Sequence, residues 1–253
     1  MAVSSAPAAK PKRSRPVRVA EEIKQWVVER DLKKGDKLPN ESAMIAEFGV
    51  SKGTVREALR ILEAQGLIVT KTGPGGGSMV GEVSAERARS LLANYFYFQD
   101  LSVADIYQMR RVLEPELAAS LAGRLNPEQL AALQHLAERH AEPAQSAEEE
   151  KEQHISSLVF HARLAYFADN RLLGFVIDFM AQMLTDLTVY RQLYDPPNRE
   201  LWQKGRDHQL QLVAALCSGN ADQARQVMAS HMRIAESQMQ RQEAQLMRRF
   251  IGE

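Results

Sequence analysis

Hydrophobic positions along this chain follow two rhythms. Between Val17 and Arg30, the residues Val19, Ala20, Ile23, Trp26 and Val27 recur at the spacing of one helix face. Lys33-Lys34-Gly35-Asp36 breaks that pattern as a turn. Pro39-Asn40-Glu41 opens a short helix, with Asn40 as its N-cap and Met44, Ile45 and Phe48 as its apolar face. Gly49 closes it. Ser51 caps a further helix that carries Val55, Ala58, Leu59 and Leu62 on one side, and Gly66 ends that one. Leu67-Ile68-Val69-Thr70 then reads as a strand, Gly75-Gly76-Gly77 as a turn and Ser78-Met79-Val80 as the return strand.

After Gly81 only the helical rhythm remains. It predicts helices over 84–98, 102–123, 127–141, 148–168, 171–193, 198–217 and 220–246, broken at Asp100-Leu101-Ser102, Asn126-Pro127, Glu142-Pro143, Asp169-Asn170, Asp195-Pro196-Pro197 and Ser218-Gly219-Asn220. Long helices joined by short loops pack as antiparallel neighbours in a bundle. Residues 1–16 have no periodicity and are expected to form a disordered basic tail.

Composition supports two folded domains. The chain has 253 residues, of which 45% are hydrophobic and 25% charged, enough apolar mass for a real core. A single cysteine, Cys217, excludes an internal disulfide framework and a cysteine-based zinc site. No apolar run is expected to reach the ~18 residues of a membrane helix, and no signal-peptide core opens the chain, so the expected setting is cytoplasmic. The zero net charge conceals an asymmetry: residues 1–81 hold 14 Lys and Arg against 9 Asp and Glu, whereas 82–253 hold 18 against 23. A polyanionic partner would meet the front half. Lys10, Lys12, Arg13 and Arg15 either touch a phosphate backbone or simply solubilise the tail.

Two short helices joined by a tight turn place the second in the ~12 Å major groove of DNA. Glu41–Phe48, Gly49-Val50 and Ser51–Gln65 supply that arrangement, with Val50 and Val55 joining the helices. Ser51, Lys52, Thr54 and Arg56 form the exposed start of the second helix, a set of hydroxyls and cations that reach base edges and phosphates. Lys71 and Thr72 flank a glycine-rich turn, where Gly75 and Gly76 leave room for close approach. The stretch Leu38-Pro39-Asn40-Glu41, Gly49-Val50-Ser51-Lys52-Gly53-Thr54-Val55-Arg56-Glu57-Ala58-Leu59, Leu62-Glu63-Ala64-Gln65-Gly66-Leu67-Ile68 and Gly75-Gly76-Gly77-Ser78 resembles the winged helix-turn-helix of GntR-family bacterial transcription regulators. The resemblance implies dimeric binding to a short palindromic operator in double-stranded DNA. Ser42 stands where the family usually has a DNA-contacting arginine, and Lys52 where it often has another; Arg56 keeps its cation.

Ile106-Tyr107-Gln108-Met109-Arg110-Arg111-Val112-Leu113-Glu114-Pro115-Glu116 and Phe160-His161-Ala162-Arg163-Leu164, with Asn170, resemble the all-helical FCD ligand domain of the FadR-like branch. The fold class is therefore mainly α: an N-terminal winged helix-turn-helix with a small β-hairpin over 17–81, and a C-terminal all-α antiparallel bundle over 84–250. In many members the bundle holds a divalent metal and a small carboxylate, through an Asp, the Phe-His histidine and two more ligands. Here the Asp position is Ser157 and the histidine is His161; the last histidine is His231, and the remaining position falls on Gln209. His208 lies one residue away, ~100° round the helix. That donor set lacks an anion, so a metal is disfavoured; any metal would use His161, His231 and His208. His161 and His231 serve either as hydrogen-bonding groups of a metal-free pocket or as satisfied core residues. Arg110 either anchors a carboxylate through its fork or pairs with Glu114 at i, i+4. The expected effector-binding set is Arg110, Ser157, His161, Gln209 and His231.

The resulting expectation is a non-enzymatic, sequence-specific DNA-binding regulator, in sense a repressor, that works as a homodimer and responds to a small organic acid without contacting a membrane. An effector-independent DNA-binding dimer and a metal-dependent enzyme with a DNA-targeting module remain as alternatives. His135, His140 and His154 have no assigned partner, and Met180, Met183, Met228, Met232 and Met239 read either as adaptable pocket wall or as core.

Overall fold

The computed structural model describes residues 13–73, 76–99 and 101–251, with side chains described through Gln245. Two compact units divide between Ser90 and Leu91, a little later than the predicted boundary at 81–84.

The front unit holds α1 (Arg15–Glu29), α2 (Glu41–Phe48), α3 (Lys52–Ala64), β1 (Ile68–Lys71) and β2 (Gly77–Val80). Each predicted stop signal acts where it falls. The Asn40 side chain accepts from the Ala43 N–H at 2.9 Å and starts α2. Gly49 adopts φ 59° and ψ 39°, the left-handed geometry that ends a helix. Ser51 accepts from the Thr54 N–H and starts α3. Val19, Ile23, Met44, Val50, Val55, Ala58, Leu62 and Ile68 form one buried cluster. The strands pair antiparallel, Ile68 with Val80 and Lys71 with Gly77, so both lie one residue from their predicted limits. Lys37 adds a bridge to Met79. Helix α1 begins at Arg15 with Pro16 in its first turn, which moves Arg15 and Pro16 out of the expected tail. Lys10 and Lys12 lie outside the described residues, as does Gly75.

The second unit is helical. α4 (Ala85–Tyr97) leads to α5 (Val103–Leu121), α6 (Pro127–Glu138), α7 (Ala147–Tyr166), α8 (Arg171–Tyr190), α9 (Arg199–Cys217) and α10 (Ala221–Ile251). Reciprocal capping boxes start α5, from Ser102 and Asp105, and α6, from Asn126 and Gln129. α10 packs on α5 and α9, α7 on α8, and α6 against α7 and α9. The inward face of α10 carries Ala224, Met228, Met232, Ala235 and Met239, all buried, at the three-to-four spacing of one stripe. Met180, Met183, Met228, Met232 and Met239 belong to this core. One expectation needs correction: α8 is long and apolar enough to cross a membrane by length and composition. Its Ile177, Met180, Ala181, Met183 and Leu184 are instead buried in the bundle core, so the apolar run reflects a helix packed on two sides, against α7 and α5.

Candidate functional site

The first candidate surface lies at the start of α3. Ser42, Ser51, Lys52, Arg56, Lys71 and Thr72 are exposed there and on the neighbouring elements, and Thr54 is half-buried. Four of these groups are already engaged. The Ser51 hydroxyl meets the Thr54 hydroxyl at 2.9 Å while capping the helix. The Arg56 Nε donates to both oxygens of Glu41, at 2.9 and 3.1 Å, and Lys52 approaches the same carboxylate at 4.0 Å. Glu41 therefore holds two cations of α3 in place from the preceding helix. Arg56 and Arg60 line a groove whose other wall is Thr70, Gly76 and Ser78 of the hairpin. A Cβ on Gly76 would sit 2.3 Å from the Lys71 carbonyl oxygen. The missing side chain thus serves the closure of the turn itself. Arg15, expected in a phosphate-binding arm, instead donates to the Gly49 carbonyl at 3.2 Å.

The second candidate is a small, partly enclosed cavity of about 70 Å³ inside the helical unit. All five residues of the expected effector set line it: Arg110 from α5, Ser157 and His161 from α7, Gln209 from α9 and His231 from α10. Arg110 and Glu114, both about 1% exposed, sit one turn apart on α5, and the Arg110 Nε donates to Glu114 Oε1 at 2.5 Å. The other Glu114 oxygen bonds the His161 Nδ1. A carboxylate only accepts, so His161 carries its proton on Nδ1 and turns the Nε2 lone pair inward. That nitrogen lies 3.1 Å from the His231 Nε2, and the two rings stack almost parallel. A chain of hydrogen bonds therefore runs from Arg110 through Glu114 and His161 to His231. One end remains open, because Arg110 Nη2 is buried without a hydrogen-bond partner.

Burial by itself would raise the Glu114 carboxyl, but Arg110 and His161 hold it down at about 2. Burial, with the Arg110 charge beside it, lowers His161 against the pull of Glu114. Burial and the surrounding His161, His208 and Arg110 push His231 well below its ordinary value. Both histidines are neutral at pH 7, and the network keeps one permanent anion and one permanent cation.

Residues 16–77 match the bacterial regulatory proteins of the gntR family, and residues 105–234 match the FCD domain. The chain belongs to the GntR family. The regulator is 26% identical over 204 residues to the HTH-type transcriptional regulator LutR of Bacillus subtilis, covering 80% of this chain and 90% of that one. It is 25% identical over 219 residues to the Uxu operon regulator of Haemophilus influenzae, covering 85% and 78%. A solved GntR protein of Streptococcus agalactiae shares the fold, with TM-score 0.58 at 20% identity over 88% of this chain and 99% of that one. The protein is a DNA-binding transcription regulator, and these relatives carry the names of regulators.

The metal that many FCD domains hold does not suit the residues of this regulator. Gln209 turns its amide to Ser157, donating to the hydroxyl at 3.1 Å, so two neutral groups satisfy each other where ligands would stand. Both oxygens of Glu114 are taken, and the buried Arg110 cation sits beside the two imidazoles. His208, half-buried, spends its Nδ1 on the Lys204 carbonyl. Among the described residues no three His, Cys, Asp or Glu are grouped to hold a metal ion.

The sequence reading missed several cavity residues, namely Tyr107, His140, Gln153, His154, Ser156 and Arg206. A signal existed for some of them. Glu150, Gln153, Ser157 and His161 recur at helix spacing on α7, so one face is polar where a core helix is normally apolar. His154 finds its partner in the Met239 sulfur at 3.1 Å.

Proposed function

We propose that the helical unit binds a small carboxylate at Arg110, and that its occupancy tunes the affinity of a homodimer for a short palindromic operator in cytoplasmic DNA. One observation carries the effector reading: a fully buried guanidinium lines a cavity with Nε paired to Glu114 and Nη2 unpaired. An unpaired buried donor is costly, and a carboxylate oxygen satisfies it with a charge-assisted bond. The ligand's charge would extend the network that already ends on His161 and His231. On the DNA side, α3 enters the major groove with Ser51, Lys52, Thr54 and Arg56 leading. Ser42, Lys71, Thr72 and Gly76 lie against the flanking backbone, and Gly75 at the turn belongs to the same reading. Effector binding favours one arrangement of the bundle. Because half-sites lie about one helical turn apart, any change in the spacing of the paired winged helices alters affinity. Release of repression by the effector is the sense we adopt.

The test is a gel shift on the DNA immediately upstream of the protein's own gene, with and without a panel of small organic acids. A shift relieved by one acid supports both halves of the reading. A shift that no acid alters favours an effector-independent regulator.

A further inference from the structure

The corner between α3 and β1 is held from outside the stretch that matches the gntR family. That match ends at residue 77, and Arg87 lies beyond it, in the first turn of α4. The front unit itself runs through Ser90. A helix leaves its last carbonyls without intrahelical donors, and α3 answers this with a Schellman turn. The Leu67 N–H donates to the Leu62 carbonyl at 3.0 Å and the Gly66 N–H to the Glu63 carbonyl at 2.9 Å, with Gly66 at φ 78°. The next carbonyl, that of Ala64, accepts from Arg87 Nη2. α3 has no basic residue in its own last turn, so the guanidinium supplies the cation that the helix dipole favours there. Within α4 the same charge is badly placed. The Arg87 N–H donates to the Ser84 hydroxyl at 3.1 Å, at the start of that helix, where the dipole disfavours a cation. The position of Arg87 suits α3, not its own helix.

The same corner sets the wing against the reading helix. β1 begins at Ile68, directly after the Schellman turn. The Thr70 N–H donates to Glu63 Oε1 at 3.1 Å, and the Gly81 N–H, just past β2, donates to the Leu67 carbonyl at 2.8 Å. Arg87 lies over the middle of this junction: a Cβ on Gly66 would meet its Nη1 at 3.3 Å and its Cδ at 3.5 Å. The segment that carries Arg87 is tied down a second time, where Glu82 pairs with Lys34. Arg56 stands on α3 and Lys71 on β1, so the angle at Gly66 decides whether both can meet one duplex. Arg87 is exposed and lies outside the buried cluster of the front unit, so its loss leaves that cluster intact.

We propose that Arg87 is a positioning residue for operator recognition. From α4 it clamps the C-terminal end of α3 and fixes the recognition helix against the wing, without itself touching DNA. The assignment rests on the docking of α3 in the major groove.

The test is fluorescence anisotropy of the full chain on two duplexes over a range of salt. One is an operator selected from random sequence with the parent protein; the other is a scrambled duplex of the same length. Arg87→Met keeps the stem over Gly66 and removes the donor. It should weaken the operator about tenfold, the effect of one misread base pair. Binding to the scrambled duplex, the salt slope and cooperative thermal unfolding should stay as in the parent. Arg87→Lys returns a cation to the Ala64 carbonyl and should recover part of the loss. Unchanged operator affinity in Arg87→Met overturns the assignment, as does a lysine variant no better than the methionine one. Equal loss on both duplexes also overturns it. With a salt slope lower by about one, Arg87 is a phosphate contact; with an unchanged slope or non-cooperative unfolding, it supports folding alone. Arg56→Ala, measured alongside, tests the docking separately. If it weakens the operator and Arg87→Met does not, only the Arg87 assignment falls; if neither does, the docking of α3 falls as well.

Discussion

Arg110 is asked to do two things at once, and a pair of variants separates them. Its side chain and that of Glu114 are both about 1% exposed and bonded at 2.5 Å. Removing one member of a buried pair leaves a charge without compensation, which costs about 3–5 kcal/mol. Arg110→Met keeps most of the volume, so a cavity contributes little and the loss reports the stranded carboxylate. The carboxyl is held near 2 by Arg110 and His161 against burial. Without Arg110, burial lifts it, and the group takes a proton instead of staying charged. The unfolded carboxyl titrates near 4.5, so in the variant the folded pKa exceeds the unfolded one and the deficit shrinks as the pH falls. The double variant Arg110→Met/Glu114→Gln removes both charges and still leaves His161 Nδ1 an amide oxygen to donate to. It should recover most of the loss, within about 1 kcal/mol of the parent. Urea unfolding at pH 7 and pH 5.5 measures all of this, and a gel shift with effector measures function. Both variants should lose the effector response, because neither has the guanidinium. A single variant as stable as the parent would show that Glu114 does not depend on Arg110. A double variant as unstable as the single would show that the stranded charge is not the cause.

Two further outcomes test other parts of the molecule. Arg56→Ala should weaken operator binding by about 1–3 kcal/mol if the guanidinium reads a base, whereas a phosphate contact would lower the salt slope by about one; it also frees Glu41, so Glu41→Ala should weaken binding as well, and unchanged affinity in Arg56→Ala contradicts the docking of α3. His154, lowered by burial from 6.5 to about 4, should contribute to acid sensitivity: above pH 6.5 it adds nothing, and between 6.5 and 4 the unfolded chain takes up a proton the folded chain refuses. Stability then falls with pH, by up to about 3 kcal/mol from this group. The gap between parent and His154→Leu in urea midpoint should therefore shift in the variant's favour between pH 7 and pH 4.5, and a constant gap refutes the argument.

What could be read from the chain was what local chemistry decides. Asn40, Gly49, Ser51, Ser102 and Asn126 each act within a few residues of themselves, so their caps and turns were visible in one dimension. The amphipathic rhythm placed every helix of the bundle but not its ends, because the last turn depends on what packs against it. α8 shows the limit of that rhythm: a helix buried on two sides and a membrane helix share one composition, and only the neighbours distinguish them. Part of the cavity wall was hidden for a different reason. His140, Gln153 and Arg206 are distant in sequence, and each alone reads as an ordinary polar residue. Only folding shows that these three residues, each with a buried unpartnered atom, line one cavity.

Arg110 shows the same boundary within a single side chain. Spacing alone offered an anion anchor or an i, i+4 ion pair, as though one guanidinium had to choose. The structure shows the ion pair, and in the proposed reading the anchor need not exclude it, because the nitrogens of the fork are separate donors. Nε is spent on Glu114, which in turn orients His161, while Nη2 is buried without a partner in a residue that lines the cavity. The ion pair is what makes the anchor possible. A lone cation at that depth would be too costly to bury; one already neutralised on its inner side can be held rigid and offer its outer side to a ligand. The pairing with Glu114 is therefore the means by which Arg110 is kept ready: stability survives when both charges are removed together, but the proposed ligand recognition does not.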